Sequence, residues 1–156
     1  MLRVAILLST HAAAVAVGFA LGVYFLPILT APKSPDAAVL QQNAQGALFT
    51  AEFTRDLRGS DFLHWGEGTV SITDTQIVHQ GALAPGPDYM LYLVPEFVED
   101  EDGFWAVKDS SQRIGPVKTF DGVMLDIPQG VDVTQFNTVL VWCEAFGEFI
   151  TAAKYR

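Results

Sequence analysis

The side chain with the widest chemical repertoire in this sequence is Cys143, the one cysteine among 156 residues. It lies in VLVWCEAFG at 139–147. A thiolate is a nucleophile and a metal ligand, whereas a thiol buried in apolar surroundings is inert. Val139, Val141 and Cys143 share one face of an extended chain, and Leu140 and Trp142 share the other. Cys143 therefore points where two β-branched residues point, which implies inward. Two readings follow. The first is a small core hydrophobe, the usual fate of a free cysteine. The second is a redox thiol or prosthetic-group ligand at a strand end that opens toward a pocket. A single cysteine forms no internal disulfide.

Other chemistry-bearing residues are scattered. His64 and Trp65 stand in LHWGEGTV, and His79, Met90 and Met124 fall in strand-like runs. Haem takes His, Met or Cys as axial ligands. There is no C-x-x-C-H attachment motif, and two distant histidines make no metal spacing. No Ser–His–Asp set, phosphate loop or zinc cluster is present. The run EFVEDEDG at 96–103 is acidic at five of eight positions. Clustered carboxylates suit Ca²⁺, but the D-x-[DN]-x-[DN]-G spacing is missing, so a solvated acidic loop is expected. Gly86-Pro87-Asp88 sets a rigid turn, with Asp88 placed to accept backbone N–H groups.

The elements that must position these residues read as β-strands. ALFTAEF at 47–53 alternates apolar and polar. GTVSIT at 68–73 and TQIVHQGAL at 75–83 flank Asp74 as a tight hairpin. DYMLYLVP at 88–95, PVKTF at 116–120 and VMLDIP at 123–128 follow, the last two flanking the two-residue turn signal Asp121-Gly122. NTVLVWC at 137–143 and EFITAAKY at 148–155 close the chain. Turn signals recur every ~8–12 residues, the spacing of an antiparallel sandwich or barrel.

Residues 4–29 contain no Asp, Glu, Lys or Arg. A membrane span needs ~20 mostly apolar residues, and a cleavable signal has an apolar region of only ~7–15. The best cleavage position ends at Ala31, and Pro32 after it is a poor substrate. An uncleaved anchor is expected. Arg3 before the span favours a cytoplasmic N-terminus and a domain in the periplasm or outside the cell. Ala14, Gly18 and Gly22 form a small-residue stripe of the kind common in membrane helices. Residues 30–45 read as a linker with a short helical piece at 36–43. That leaves 46–156 as one domain, large enough for its own core.

The formal net charge is −9. Acidity of this degree excludes nucleic acid and anionic lipid as partners of the domain.

The stretches LHWGEGTVSI at 63–72, GPDYMLYLVP at 86–95, IGPVKTFDGVMLDIP at 114–128 and NTVLVWCEAFGEFITAAKY at 137–155 resemble the DM-thirteen domain family. Gly86-Pro87-Asp88, Trp142-Cys143 and Phe146 carry the match in order. The segment VKTFDGVMLDIP is shorter and less polar than the family pattern, and the acidic run 96–103 is an insertion-like departure. The resemblance implies an all-β sandwich of extracytoplasmic proteins with an electron-transfer role. It also implies that Cys143 is a redox thiol or the ligand of a prosthetic group such as haem, and Trp142 and Phe146 are expected to frame it. The partner would be a redox or envelope protein. The alternative is a binding module in which Cys143 is structural.

Overall fold

A computed structural model describes residues 1–156. The chain begins with a 29-residue helix, α1 (Leu2–Thr30), none of whose residues is buried. By length and composition α1 can cross a membrane, although a signal sequence passes the same test. Pro27 lies in its last turn, where few backbone bonds are lost. Ala31 then turns extended because Pro32 disfavours a helical residue before it. A short helix, α2 (Ala37–Asn43), buries Leu40 and packs against the third strand.

Eight strands follow in two antiparallel four-stranded sheets, the sandwich implied by the alternating runs. The first sheet orders β1 (Phe49–Phe53), β2 (Gly66–Ile72), β3 (Gln76–Leu83) and β6 (Val123–Asp126). The second orders β5 (Gln112–Val117), β4 (Tyr89–Val94), β7 (Thr138–Cys143) and β8 (Glu148–Lys154). Between β4 and β5 sits one short helix, α3 (Glu101–Val107).

The strand reading is corrected at the Asp121-Gly122 turn and at the fifth strand. Asp121-Gly122 joins no hairpin, because β5 pairs with β4 and β6 pairs with β3. The turn carries the chain from one sheet to the other, with Gly122 at φ +100°. The fifth strand also begins earlier than 116 and ends at Val117. It is an edge strand, which is where Pro116 is tolerated.

The core lies between the sheets and holds 19 buried residues, including Val70, Ile72, Leu91, Leu93, Val139, Val141 and Ile150. A second cluster of ten covers the outer face of β4, β7 and β8 beneath α3. Strands β4 and β7 are consequently buried on both faces. The acidic run is loop over 96–100, as expected, but its last three residues, 101–103, open α3. The Asp100 carboxylate accepts from Gly103 N as the helix cap and pairs with Arg58 at 2.7 Å. Glu101 accepts from Phe149 N at 3.2 Å. No group of three or more potential ligands converges anywhere in the chain.

Candidate functional site

Cys143 is the last residue of β7 and faces the inter-sheet core with Val139 and Val141, while Leu140 and Trp142 belong to the outer cluster. It is 3% exposed. Its Sγ–H donates to the Pro87 carbonyl at 3.0 Å. Burial pushes the thiol pKa up. Backbone N–H groups of Phe146 and Ala145 act the other way, and the carboxylates of Asp88 and Glu148 add to the rise. The resting group is a protonated thiol that has to be unlocked before it can react.

Two turns hold it there. In the first, Asp88 takes φ +52°, a left-handed conformation that a short polar side chain tolerates. Its role is played by the backbone: the Asp88 carbonyl accepts from Glu144 N at 3.0 Å. That bond clips the 86–88 turn to the turn after β7. The second turn closes when Gly147 N donates to the Cys143 carbonyl at 2.9 Å, with Gly147 at φ +69°. Gly86 is required by space, since a Cβ there would lie 2.6 Å from Tyr89 Cζ.

Above Cys143 opens a cleft of about 570 Å³. One wall comes from the sandwich: Leu63, His64, Pro85, Gly86, Pro87, Tyr89, Phe146, Glu148 and Ile150. The other wall is α1, through Phe19, Ala20, Leu21, Val23 and Tyr24. His64 thus lines the same cleft as Cys143, from a segment 79 positions earlier in the chain. His64 Nδ1 meets Asp61 Oδ2 at 3.1 Å, and Asp61 Oδ1 accepts from the backbone N–H groups of Leu63 and His64 at 2.7 and 2.8 Å. Burial acts to raise the Asp61 carboxyl, but these donors outweigh it and the pKa is lowered. The carboxylate fixes the proton on Nδ1 and leaves Nε2 as the ring's remaining donor or acceptor. Burial also drives the Tyr89 phenol up, so it stays protonated.

Phe146 lines the cleft, whereas Trp142 points to the far side of the sheet. There Trp142 packs against Phe104 and Trp105 at ring separations of 4.8 and 5.2 Å. Tyr92 Oη donates to Glu144, and Lys108 Nζ reaches the same carboxylate at 2.7 Å. Lys108 also sits 4.7 Å from the Trp105 ring centre. Burial acts to raise the Glu144 carboxyl, and the bonds from Lys108 and Tyr92 overcome it, so the pKa is lowered. His79 and Met124 lie in β3 and β6 and do not line the cleft.

A haem is poorly served by these donors. A cysteinate ligand is prepared by a lowered thiol pKa and a nearby cation, and Cys143 has a raised pKa and carboxylate neighbours. The imidazole of His64 is the better-prepared donor in the cleft, and it stands alone.

The sequence alone gave no reason to join His64 to Cys143. The signal was there in LHWGEG: a histidine three residues after Asp61 in a turn, directly before a strand. No curated protein and no solved structure matches this chain. A family model described as electron transfer DM13 matches residues 52–155, well over half of the chain. With its two-sheet sandwich and its Gly86-Pro87-Asp88 and Trp142-Cys143 segments on the matched stretch, the chain belongs to the electron-transfer DM13 family.

Proposed function

We propose that this chain is a single-pass, membrane-anchored electron-transfer accessory whose working group is the Cys143 thiol. Residues 46–156 form the domain, 30–45 the linker, and α1 the uncleaved anchor. The N-terminus is cytoplasmic and the domain is periplasmic or extracellular, as Arg3 ahead of an uncharged span favours. One observation carries the reading within this family: Cys143 lies on one cleft with a carboxylate-oriented imidazole, His64. The chemistry open to a lone thiol is exchange with a partner's disulfide. Cys143 Sγ leaves the Pro87 carbonyl, loses its proton, and attacks one sulfur of the partner. The partner S–S bond breaks, a mixed disulfide forms, and the leaving thiolate takes up the proton. His64 Nε2 is the group on the cleft suited to carry that proton.

A second reading has one observation in its favour. Cys143 is buried and hydrogen-bonded as a protonated thiol, as a structural core residue would be. The domain would then be a ligand- or partner-binding module.

Alkylation of the purified full chain and its absorption spectrum with and without dithionite separate the two. Reaction of the folded chain with a disulfide reagent, one mixed disulfide per chain, supports the redox reading. A colourless chain whose thiol reacts only after unfolding refutes it. Compartment reporters fused after Arg156 test the orientation, and activity of a cytoplasm-only reporter refutes it. The intact mass of the membrane-bound protein tests retention of Met1–Ala31.

A further inference from the structure

We infer that Glu144 is a positioning residue for the Cys143 thiol: held by Lys108 and Tyr92 on the outer face of the sheet, it latches shut the two turns that cover the sulfur. The inference rests on the reading of Cys143 as the working group and names what controls access to it.

The sulfur is enclosed by backbone from two turns, at Pro87 before β4 and at Ala145 and Phe146 after β7. For an external disulfide to reach Sγ, one turn has to lift from the other. Strands β4 and β7 do not part for this, since they pair over six residues and are buried on both faces. The two turns are joined by the bond from Glu144 N to the Asp88 carbonyl. A single backbone bond between turns opens readily on its own. Within the 144–147 turn, Ala145 and Phe146 are exposed and Gly147 has no side chain. Glu144 is the side chain of that turn bonded to the rest of the domain.

That anchorage is built from fixed parts. One carboxylate oxygen accepts from Tyr92 Oη in β4, and the other accepts from Lys108 Nζ at 2.7 Å. Lys108 directly follows α3, which is pinned by buried Phe104 and Val107. The side chains of Lys108 and Glu144 are only 20% and 24% exposed. Water competes weakly there, and a bond between two charged groups is stronger than a neutral one. Lifting the turn breaks both bonds and strands a partly buried carboxylate. Opening over the thiol therefore costs more than the backbone clip, and the control lies on the face away from the cleft.

The test follows alkylation of Cys143 by iodoacetamide against urea, in the full chain held in nonionic detergent. Local opening exposes little surface, so its rate is flat at low urea, whereas reaction through global unfolding climbs steeply. The wild type should show the flat limb. Lys108→Met keeps an apolar stem beside the Trp105 ring and removes the charge. It should raise the flat limb by about 10–100-fold, the factor set by a hydrogen bond to a charged group. Tyr92→Phe keeps the buried ring and should raise it by a smaller factor; should Lys108→Met fail to fold, this variant decides. Lys108→Arg should stay close to the wild-type rate. A merely structural ion pair would lower the urea midpoint of Lys108→Met and leave its flat limb unchanged. That result overturns the latch and leaves the reactive thiol intact. An equal rise in Lys108→Arg also overturns the latch, because the charge would not be what holds the turn. A wild type with no flat limb overturns the redox reading itself, and the latch with it.

Discussion

Trp142 and Cys143 are neighbours in the chain and face opposite sides of one sheet: the thiol into the core between the sheets, the indole into the cluster under α3. A change at one therefore reads out on a different side of the domain from a change at the other. The cleft belongs to Cys143, and the Tyr92–Glu144–Lys108 set belongs with Trp142.

Replacing Cys143 separates packing from chemistry. Cys143→Ala removes a small buried group and leaves the Pro87 carbonyl without its donor, at about 1–2 kcal/mol. Cys143→Ser keeps a hydroxyl aimed at the same carbonyl, so it should melt no lower than the alanine variant. Both should abolish mixed-disulfide formation. Thermal melts and the disulfide-reagent assay on the same samples check this.

Gly86 is the tightest point beneath the cleft. An alanine Cβ would lie 2.7 Å from Tyr89 Cε1, against a ring that is itself only 3% exposed. Gly86→Ala should cost about 1–3 kcal/mol through overpacking. The nearest atom to the new Cβ is the Tyr89 hydroxyl. Tyr89→Phe in the same chain should therefore recover part of the loss. Denaturant midpoints on the two single variants and the double variant give the coupling.

How far the sequence determines these features depends on the range of the interaction. Alternation placed Val139, Val141 and Cys143 inward, because side-chain direction in a strand is local. Residue pattern did not reveal that β7 is buried on both faces, since that depends on α3 folding back from residues 101–107. Asp121-Gly122 reads like a hairpin turn locally, and the sheet exchange it makes is decided by strand pairing far away. That Cys143, His64 and α1 line one cleft is likewise a long-range outcome, and no spacing rule encodes it.

Glu144 gives the domain an acid-sensitive clamp. Its pKa is lowered in the folded chain, so it contributes stability above the ordinary glutamate range, roughly pH 4.3. That contribution is lost as the pH falls through the lowered folded value. Glu144→Gln should flatten the acid limb of the stability profile below about pH 4.3. Lys108→Met should destabilise at neutral pH by about 1–3 kcal/mol, because it leaves a partly buried carboxylate short of a donor. Urea midpoints from pH 3 to 7 would show whether the two variants differ in this way.

His79 supplies a second pH dependence, at a higher range. It is 1% exposed, packs 5.2 Å from the Phe53 ring and donates Nε2–H to the Glu67 carbonyl at 3.0 Å. Its Nδ1 has no partner. Burial depresses the pKa, and the bond to Glu67 offsets this only in part. The folded chain therefore holds a neutral ring where the unfolded chain, with an ordinary pKa near 6.5, takes up a proton. The unfolded state binds more protons in that window, so stability rises with pH. The contribution is complete above about pH 6.5 and declines as the pH falls below it. His79→Gln keeps a donor for Glu67 and removes the titration, so its profile from pH 7 to 5 should be flatter than that of the wild type. Imidazole NMR titration gives the direct measurement: the His79 ring should titrate below the ordinary imidazole range, because burial disfavours its charged form. A ring that titrates at or above that range would show that the β3 pocket hydrates the imidazole, and the slope assigned to it would have to come from elsewhere.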